Sequence, residues 1–242
     1  MLPGRIIGHR GNAGQAPENT LASIRKAHEI GIRWVEIDVA LLGDGNPVIH
    51  HDQSLRRCTN GKGRLLQSNL ESIRKLDAGS WFSPDFAGER IPTLPEVLSL
   101  VQELGLGLNL EIKVYRHSVK ALVEPVITAL RKHWKDRDQL LLSSFSHKAL
   151  LQCCALAPEF RRGHLFEKLP RRWLDLARKV NAATIHVNYR HLREARAREV
   201  IAEGYGLYFY TVNKPELADR LWRWGGRGVF TDCPQNLVMM ME

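Results

Sequence analysis

The strongest constraint on the fold is an alternation of short apolar runs with longer amphipathic stretches, which repeats eight times along the chain. Each run is rich in Val, Ile and Leu, a composition typical of strands buried in a parallel sheet. The stretches between them have helical periodicity, and Thr93-x-x-Glu96 and Asn213 each predict the start of a helix. The apolar runs are RIIGH, WVEIDVALL, LGLNLEIK, QLLLSSF, RRGHLF, ATIHV, GLYFYTV and RGVFTD.

Eight strand–helix units in 242 residues predict an α/β fold of the (β/α)₈ type, a TIM barrel. The same alternation also fits a doubly wound sheet, because periodicity does not show whether a sheet closes. Since the sequence contains no linker-like or low-complexity tract, residues 1–242 are expected to form a single barrel domain. The clearest helices are predicted over residues 19–29, 94–104, 118–134, 147–156 and 215–224.

One segment interrupts the alternation directly after the second apolar run. The stretch GDGNPVIHHD predicts a turn and a second short strand, and a long segment punctuated by glycines follows it. A structureless loop of that length is uncommon in a compact domain, so residues 53–92 are expected to form a small insertion with helical turns of its own. The insertion leaves the barrel at the carboxyl end of a strand, where barrel active sites lie.

The charge of the chain leaves several kinds of partner open. The sequence has 35 Lys and Arg residues against 26 Asp and Glu residues, a formal net charge of +9, which suits a nucleic acid, an anionic membrane surface or a phosphorylated small molecule. The basic residues are scattered in pairs, and the densest group, Arg190–Arg198, falls on a predicted helix. This pattern favours a solvated helix face over a nucleic-acid site.

The sequence indicates a cytoplasmic protein without stable membrane insertion. No apolar stretch reaches the length that spans a bilayer, and the first apolar run begins too close to Met1 to follow a signal peptide. The cysteines lack the C-x-x-C spacing of a zinc site and do not form a disulfide framework. The oligomeric state has no signal in the sequence.

Carboxylates occupy alternate positions of the second predicted strand, and a third lies on the next barrel strand. Glu36 and Asp38 are two residues apart, so their side chains project from the same face, with Cα atoms about 6.6 Å apart. Glu111 and Lys113 have the same spacing. Three carboxylates on adjacent strands predict a site for a hard divalent ion, Mg²⁺ or Ca²⁺. The alternative is a buried ion pair between Glu36 and Lys113.

Two histidines and an arginine are predicted at the same rim of the barrel. His9 and Arg10 end the first strand, and His50-His51-Asp52 follows the short strand after the turn. Successive side chains of a strand face opposite sides, so at most one of the two adjacent histidines points into the site. A single histidine is more often structural than catalytic. Their convergence with three carboxylates and a lysine favours an active site.

The polar residues that end the later strands allow more than one interpretation. Ser144 lacks the G-x-S-x-G context of a serine nucleophile. His186 fits a core histidine and a site residue equally well. Tyr210 fits either a wall of the substrate pocket or barrel packing, and Asp232 fits a cap of the last helix.

In type and in order, these motifs resemble those of the glycerophosphodiester phosphodiesterases of the short cytoplasmic bacterial type. The resemblance spans residues 9–232 and implies a barrel with a small insertion after the second strand. It also implies a divalent metal ion held by Glu36, Asp38 and Glu111, with His9 and His51 as the acid–base pair. The motifs are His9-Arg10-Gly11, Pro17-Glu18-Asn19-Thr20, Glu36-x-Asp38, His51-Asp52, Glu111-x-Lys113, Thr211-Val212-Asn213 and Thr231-Asp232.

The implied reaction is the hydrolysis of a glycerophosphodiester to sn-glycerol 3-phosphate and an alcohol. Arg10 and Lys113 would neutralise the phosphate oxygens, and two groups that titrate near neutral pH would serve as base and acid. Tyr210 stands where relatives commonly have Trp before Thr-Val-Asn, and we expect it to contact the leaving alcohol. Water and the glycerol 2-hydroxyl group are both compatible with the role of first nucleophile.

Two other functions fit parts of the sequence. A lysophospholipase D or phospholipase C-like enzyme could use the same site on lipids, with Trp81, Phe82 and Phe86 lining an acyl pocket, although these residues also suit a small core within the insertion. A non-catalytic module could use the positive charge to bind nucleic acid. The sequence disfavours this module because every expected catalytic position is filled and no surface strand interleaves basic with aromatic residues.

Overall fold

The computed structural model describes residues 2–115 and 118–238, which form a closed barrel of eight parallel strands. The strands are β1 (Ile6–His9), β2 (Trp34–Leu41), β3 (Pro47–Ile49), β4 (Gly107–Ile112), β5 (Leu140–Ser144), β6 (Arg161–Phe166), β7 (Ala182–Asn188), β8 (Gly206–Tyr210) and β9 (Gly228–Thr231). Strand β1 pairs in parallel with both β2 and β9, which closes the ring, and β3 lies outside it. The closure confirms the (β/α)₈ barrel and rules out an open doubly wound sheet.

A helix follows each barrel strand and packs on the outside. The α-helices are α1 (Leu21–Glu29), α2 (Leu70–Arg74), α3 (Leu94–Glu103), α4 (Val119–His133), α5 (His147–Leu156), α6 (Trp173–Lys179), α7 (Glu194–Ala202), α8 (Pro215–Arg223) and α9 (Gln235–Val238). The predicted capping box forms at the start of α3, where Glu96 accepts hydrogen bonds from the backbone and hydroxyl of Thr93. No helix in the described ranges is long and apolar enough to cross a bilayer.

Alternation along each strand separates the core from the site. On β2, Val35, Ile37 and Val39 are fully buried and belong to the main hydrophobic core between strands and helices. The intervening Glu36 and Asp38 therefore point into the barrel interior. The two-residue spacing of Glu36 and Asp38 therefore makes the barrel interior polar at this level.

The insertion after β2 has a hydrophobic cluster of its own. Strand β3 pairs antiparallel with the end of β2, at Val39 and Ile49. Beyond it, the chain forms helix α2 and two short 3₁₀ turns, Leu65–Gln67 and Pro84–Phe86. These elements pack around buried apolar residues, which are Ala40, Leu42, Val48, Leu55, Leu65, Ile73, Ala78 and Ile91.

Two local predictions are wrong. Asn213 does not cap a helix: α8 begins after Lys214, and the Asn213 side chain instead bonds the end of β9. The helix expected over Arg190–Arg198 begins only at Glu194, because Asn188 caps a separate 3₁₀ turn before it. The arginines of α7 form ion pairs with glutamates on the same helix, as expected for a solvated face.

The turn after β1 depends on a close backbone approach at Gly8. A Cβ atom at this position would lie 2.3 Å from the carbonyl oxygen of Gly11. Gly11 itself has a φ of +85°, a conformation that favours glycine. The turn that carries His9 and Arg10 therefore requires glycine at both positions.

We expect the substitution Gly8→Ala to lower the free energy of unfolding by about 1–3 kcal/mol, because the added methyl group displaces the turn. Gly4→Ala is the matched control, since nothing lies within 4 Å of a Cβ atom at Gly4. Thermal unfolding of the two variants measures the difference. Equal melting temperatures would contradict this account of the turn.

Candidate active site

A pocket with a water-accessible volume of about 140 Å³ opens at the carboxyl ends of the barrel strands. That volume far exceeds the space of a single water molecule. Seven of the eight predicted site residues line the pocket, and they are His9, Arg10, Glu36, His51, Glu111, Lys113 and Tyr210. The eighth, Asp38, is 1% exposed and does not line the pocket, but its carboxylate contacts Arg10 and Lys113.

Three carboxylates converge inside the barrel. One oxygen each of Glu36, Asp38 and Glu111 lies within 4.8 Å of the other two, and all three residues are buried. They are brought together by the register of the strands, since Asp38 lies opposite Glu111 in the β2–β4 pair. Burial and the neighbouring carboxylates raise the pKa of Glu36 and raise that of Glu111 to about 7.

Asp38 is held in its charged form by its neighbours. Asn19 donates a hydrogen bond to its Oδ2 at 2.8 Å, and Lys113 Nζ lies 3.4 Å from its Oδ1. Burial opposes ionisation, but the charges of Lys113 and Arg10 hold the pKa of Asp38 below its ordinary value. Lys113 also donates to Glu111 at 2.7 Å. The alternative of a Glu36–Lys113 ion pair is therefore wrong, because the lysine contacts the other two carboxylates.

The residues present fit a divalent cation. Glu36 Oε1 is buried and has no hydrogen-bond partner, which is unfavourable for a carboxylate oxygen inside a protein. The adjacent Arg10 and Lys113 supply two positive charges against three carboxylates. An all-oxygen donor set matches Mg²⁺ or Ca²⁺ better than zinc.

His9 is oriented by a carboxylate from the other end of the chain. Its Nδ1 lies 2.6 Å from Asp232 Oδ1, and its Nε2 lies 3.8 Å from Glu36 Oε2. Asn213 fixes Asp232 in turn by donating to its Oδ2 at 2.9 Å. Burial opposes ionisation of Asp232, but the hydrogen bond from His9 lowers its pKa. Asp232 thus contacts a site histidine and does not cap the last helix.

His51, another lining residue of the pocket, has a similar arrangement. Its Nδ1 lies 2.6 Å from Asp52 Oδ1, which leaves Nε2 to face the pocket. Burial lowers the pKa of His51. His50 points away and contacts the backbone carbonyl of Ser54 through Nε2 at 3.1 Å. Only one of the adjacent histidines enters the site, as expected, although both lie beyond the end of β3.

Arg57 of the insertion connects the two loops that carry the site residues. Its guanidinium donates to both oxygens of Asp52 and to both oxygens of Glu18, at 2.6–3.0 Å. Asp52 orients His51, and Glu18 accepts a hydrogen bond from Arg10 at 2.6 Å. A single arginine outside the pocket therefore bridges the carboxylates that position two pocket residues.

Aromatic side chains flank the mouth of the pocket. Phe145 is 45% exposed and packs edge to face on Tyr210, whose hydroxyl donates to the carbonyl of Phe166 at 2.9 Å. Ser144 is turned away and donates to the backbone of Ile112. His186 is fully buried, as expected for a core histidine, and it also lines the pocket.

Sequence reasoning missed the supporting roles of Asp232, Glu18 and Arg57. Asp232 ends a barrel strand, which is a signal that could have placed it at the site. Glu18 lies within a recognised motif, but nothing marked it as a partner of an arginine. Arg57 has no sequence signal, because its contacts depend on how the insertion folds back.

The closed barrel carries its polar pocket at the carboxyl ends of the strands, which is the layout of a (β/α)₈ enzyme. The model of the glycerophosphoryl diester phosphodiesterase family matches residues 9–236, and the chain belongs to this family. A glycerophosphodiester phosphodiesterase of Caldanaerobacter subterraneus is 35% identical over 238 residues, which are 98% of this chain and 97% of the relative. One of Bacillus subtilis is 32% identical over 97% of this chain and 86% of the relative.

Among solved structures, a phosphodiesterase of Oleispira antarctica is similar to this chain with a TM-score of 0.96 and 38% identity. The match covers 98% of this chain and 96% of the relative. That protein was solved in complex with the product sn-glycerol-3-phosphate.

We expect Arg57→Gln to lower kcat for phosphodiester hydrolysis about tenfold, because small displacements of positioned groups have large effects on rate. Arg56→Gln is the matched control, since no hydrogen bond or ion pair of the Arg56 side chain occurs within the described residues. Steady-state kinetics of both variants at saturating substrate measure the effect. Equal rates in the two variants would show that the bridge does not position the site.

Proposed function

We propose that this chain hydrolyses glycerophosphodiesters to sn-glycerol 3-phosphate and an alcohol, with a divalent metal ion, Mg²⁺ or Ca²⁺, as cofactor. The observation that carries the proposal is the convergence of three buried carboxylates, two carboxylate-held histidines and two cations on one pocket. The Oleispira antarctica relative, solved with sn-glycerol-3-phosphate, supports this product.

The metal ion would be held by Glu36, Asp38 and Glu111. When bound, the ion supplies positive charge that stabilises the negative charge developing on the phosphate oxygens. Arg10 and Lys113 contribute in the same direction, since both border the carboxylates and line the pocket. A phosphodiester anion, which repels nucleophiles in water, would meet three cations here.

His9 and His51 are the proposed acid–base pair. Each is bonded through Nδ1 to a carboxylate, which fixes the ring and leaves Nε2 to exchange a proton with substrate or water. One histidine deprotonates the attacking oxygen, which belongs to water or to the glycerol 2-hydroxyl group. The other protonates the leaving alkoxide. We assign the acid to His51, which directly precedes the insertion, and the base to His9.

A lipid substrate has less support. Trp81, Phe82 and Phe86 pack edge to face on one another, with ring centroids 5.7 and 5.6 Å apart. None of them lines the pocket. Their arrangement fits a small cluster within the insertion, so we propose a small alcohol rather than an acyl chain at the pocket mouth, next to Tyr210.

We expect chelation with EDTA to abolish turnover, and Mg²⁺ or Ca²⁺ to restore it, because without the metal ion the three buried carboxylates leave the pocket too negative to bind a phosphate anion well. The measurement is steady-state release of sn-glycerol 3-phosphate from glycerophosphocholine. Circular dichroism serves as the control and should show that the barrel persists after chelation. Full activity in excess EDTA after dialysis would contradict the metal requirement.

We expect His9→Ala and His51→Ala each to lower kcat by about 10²- to 10⁴-fold. The double variant should lose far less than the product of the two effects, since groups that act together are not additive. His28→Ala, at an exposed position of α1, is the control.

A substrate with a p-nitrophenyl leaving group separates the two roles. Its leaving group needs no proton, so it should restore the rate of His51→Ala but not that of His9→Ala. Rescue of His9→Ala alone would reverse the assignment. A wild-type kcat in either single variant would remove that histidine from the mechanism.

A further inference from the structure

The loops that follow β6, β7 and β8 carry more than half of the net positive charge of the chain. They comprise residues 167–172, 189–193 and 211–214, with six basic residues and one acidic residue, Glu167. Their net charge is +5 in fifteen residues, against +9 for the whole chain. The six basic residues are all exposed, and we name them the basic arc: Lys168, Arg171, Arg172, Arg190, Arg193 and Lys214.

The three loops lie together and border the pocket. At the end of β7, Asn188 donates to Glu167 Oε1 at 2.8 Å, and His191 Nε2 lies 3.2 Å from the same oxygen. At the end of β8, the Tyr210 hydroxyl donates to the carbonyl of Phe166, where β6 ends. Tyr210 also packs on Phe145, and both of these aromatic residues line the pocket. The basic arc is therefore next to the aromatic part of the mouth.

The protein itself does not neutralise the basic arc. No ion pair between an arc residue and a carboxylate occurs within residues 2–115 and 118–238. Glu167 is engaged by Asn188 and His191, and Arg190 contacts only the ring of Tyr189. On the neighbouring helix α7, by contrast, Arg196 and Arg198 pair with glutamates. The charge of the basic arc is thus available to an anion from outside the chain.

This charge is local, and it lies outside the pocket. The longest connection at the same end of the barrel, residues 42–93 between β2 and α3, is nearly balanced, with seven basic and six acidic residues. Inside the pocket, Arg10 and Lys113 already contact the carboxylates, whereas no arc residue lines it. The basic arc therefore faces the part of a substrate that extends out of the pocket, and not its reacting phosphate.

A cleft bordered by charge of one sign concentrates ions of the opposite sign and raises their association rate by about 10- to 10³-fold. The field of exposed charges reaches about 8 Å at physiological ionic strength, so it acts on groups just beyond the mouth. The alcohol of the substrate is proposed to lie at this place, next to Tyr210. A negative group on the alcohol would be attracted, and a quaternary ammonium group would be repelled.

We propose that the basic arc selects glycerophosphodiesters whose alcohol carries an anionic group of its own, such as a second phosphate. This assignment rests on the proposed function and names its substrate class. The arc residues determine specificity through capture of the substrate and take no part in bond cleavage. Their effect therefore falls on kcat/KM and leaves kcat unchanged.

The test is steady-state release of sn-glycerol 3-phosphate, in Mg²⁺, from glycerophosphocholine, glycerophosphoinositol and glycerophosphoinositol 4-phosphate. The two inositol substrates differ only by one phosphate group on the alcohol. Wild type should have a kcat/KM about tenfold higher for the phosphorylated substrate. The difference should shrink when NaCl is raised from about 20 to about 300 mM, because salt screens exposed charges.

The double variant Arg171→Glu/Arg172→Glu should lose this preference, with a kcat for glycerophosphoinositol within about twofold of wild type. Arg33→Glu/Arg137→Glu is the matched control. It makes the same change of charge at two exposed arginines that precede β2 and β5, at the opposite end of the barrel. The control should keep the preference of wild type.

Equal kcat/KM values of wild type for the two inositol substrates would overturn the proposal, and this comparison needs no variant to fold. A preference that persists in Arg171→Glu/Arg172→Glu would also overturn it. Binding of wild type to phosphatidylglycerol vesicles, without a preference between the inositol substrates, would assign the basic arc to a membrane surface instead. If wild type turns over the substrates without preference, only the selection fails. Release from none of the three would overturn the proposed function as well.

Discussion

Three carboxylates buried side by side in the barrel interior set the charge balance on which the rest of the site depends. Burial and mutual repulsion disfavour their ionisation, and the raised pKa of Glu111 reflects both effects. The surrounding residues offset part of this negative charge, since Arg10 and Lys113 contact the carboxylates directly. A divalent cation would turn the single remaining negative charge of these five side chains into a positive charge, which a phosphodiester anion would then offset.

The barrel makes this arrangement possible because it joins residues that are far apart in the sequence. The hydrogen bond between His9 and Asp232 spans 223 positions and exists only because β1 and β9 pair. The insertion adds the bridge through Arg57, which ties the His51 loop to the Arg10 loop. The aromatic residues Phe145 and Tyr210, which pack edge to face, also line this pocket.

The sequence predicted the barrel strands and the inward carboxylates because both follow from short-range periodicity. Glu36 and Asp38 share a face in any strand, and eight alternating units leave few folds open. The sequence did not predict three features: closure of the sheet, the role of Asp232 and the contacts of Arg57. Each depends on tertiary contacts that short-range patterns do not show. The wrong prediction at Asn213 shows that tertiary contacts also override local signals. Its side chain forms three hydrogen bonds with residues at the end of β9 and does not cap a helix.

The proposed function requires the three carboxylates to form one divalent-metal site in the pocket. The most direct measurement is anomalous X-ray diffraction from crystals grown with Ca²⁺ and sn-glycerol 3-phosphate. We expect an anomalous peak about 2.3–2.6 Å from an oxygen of each of Glu36, Asp38 and Glu111, with the phosphate group beside it. A fully occupied ligand in the pocket without a metal peak between these carboxylates would contradict it.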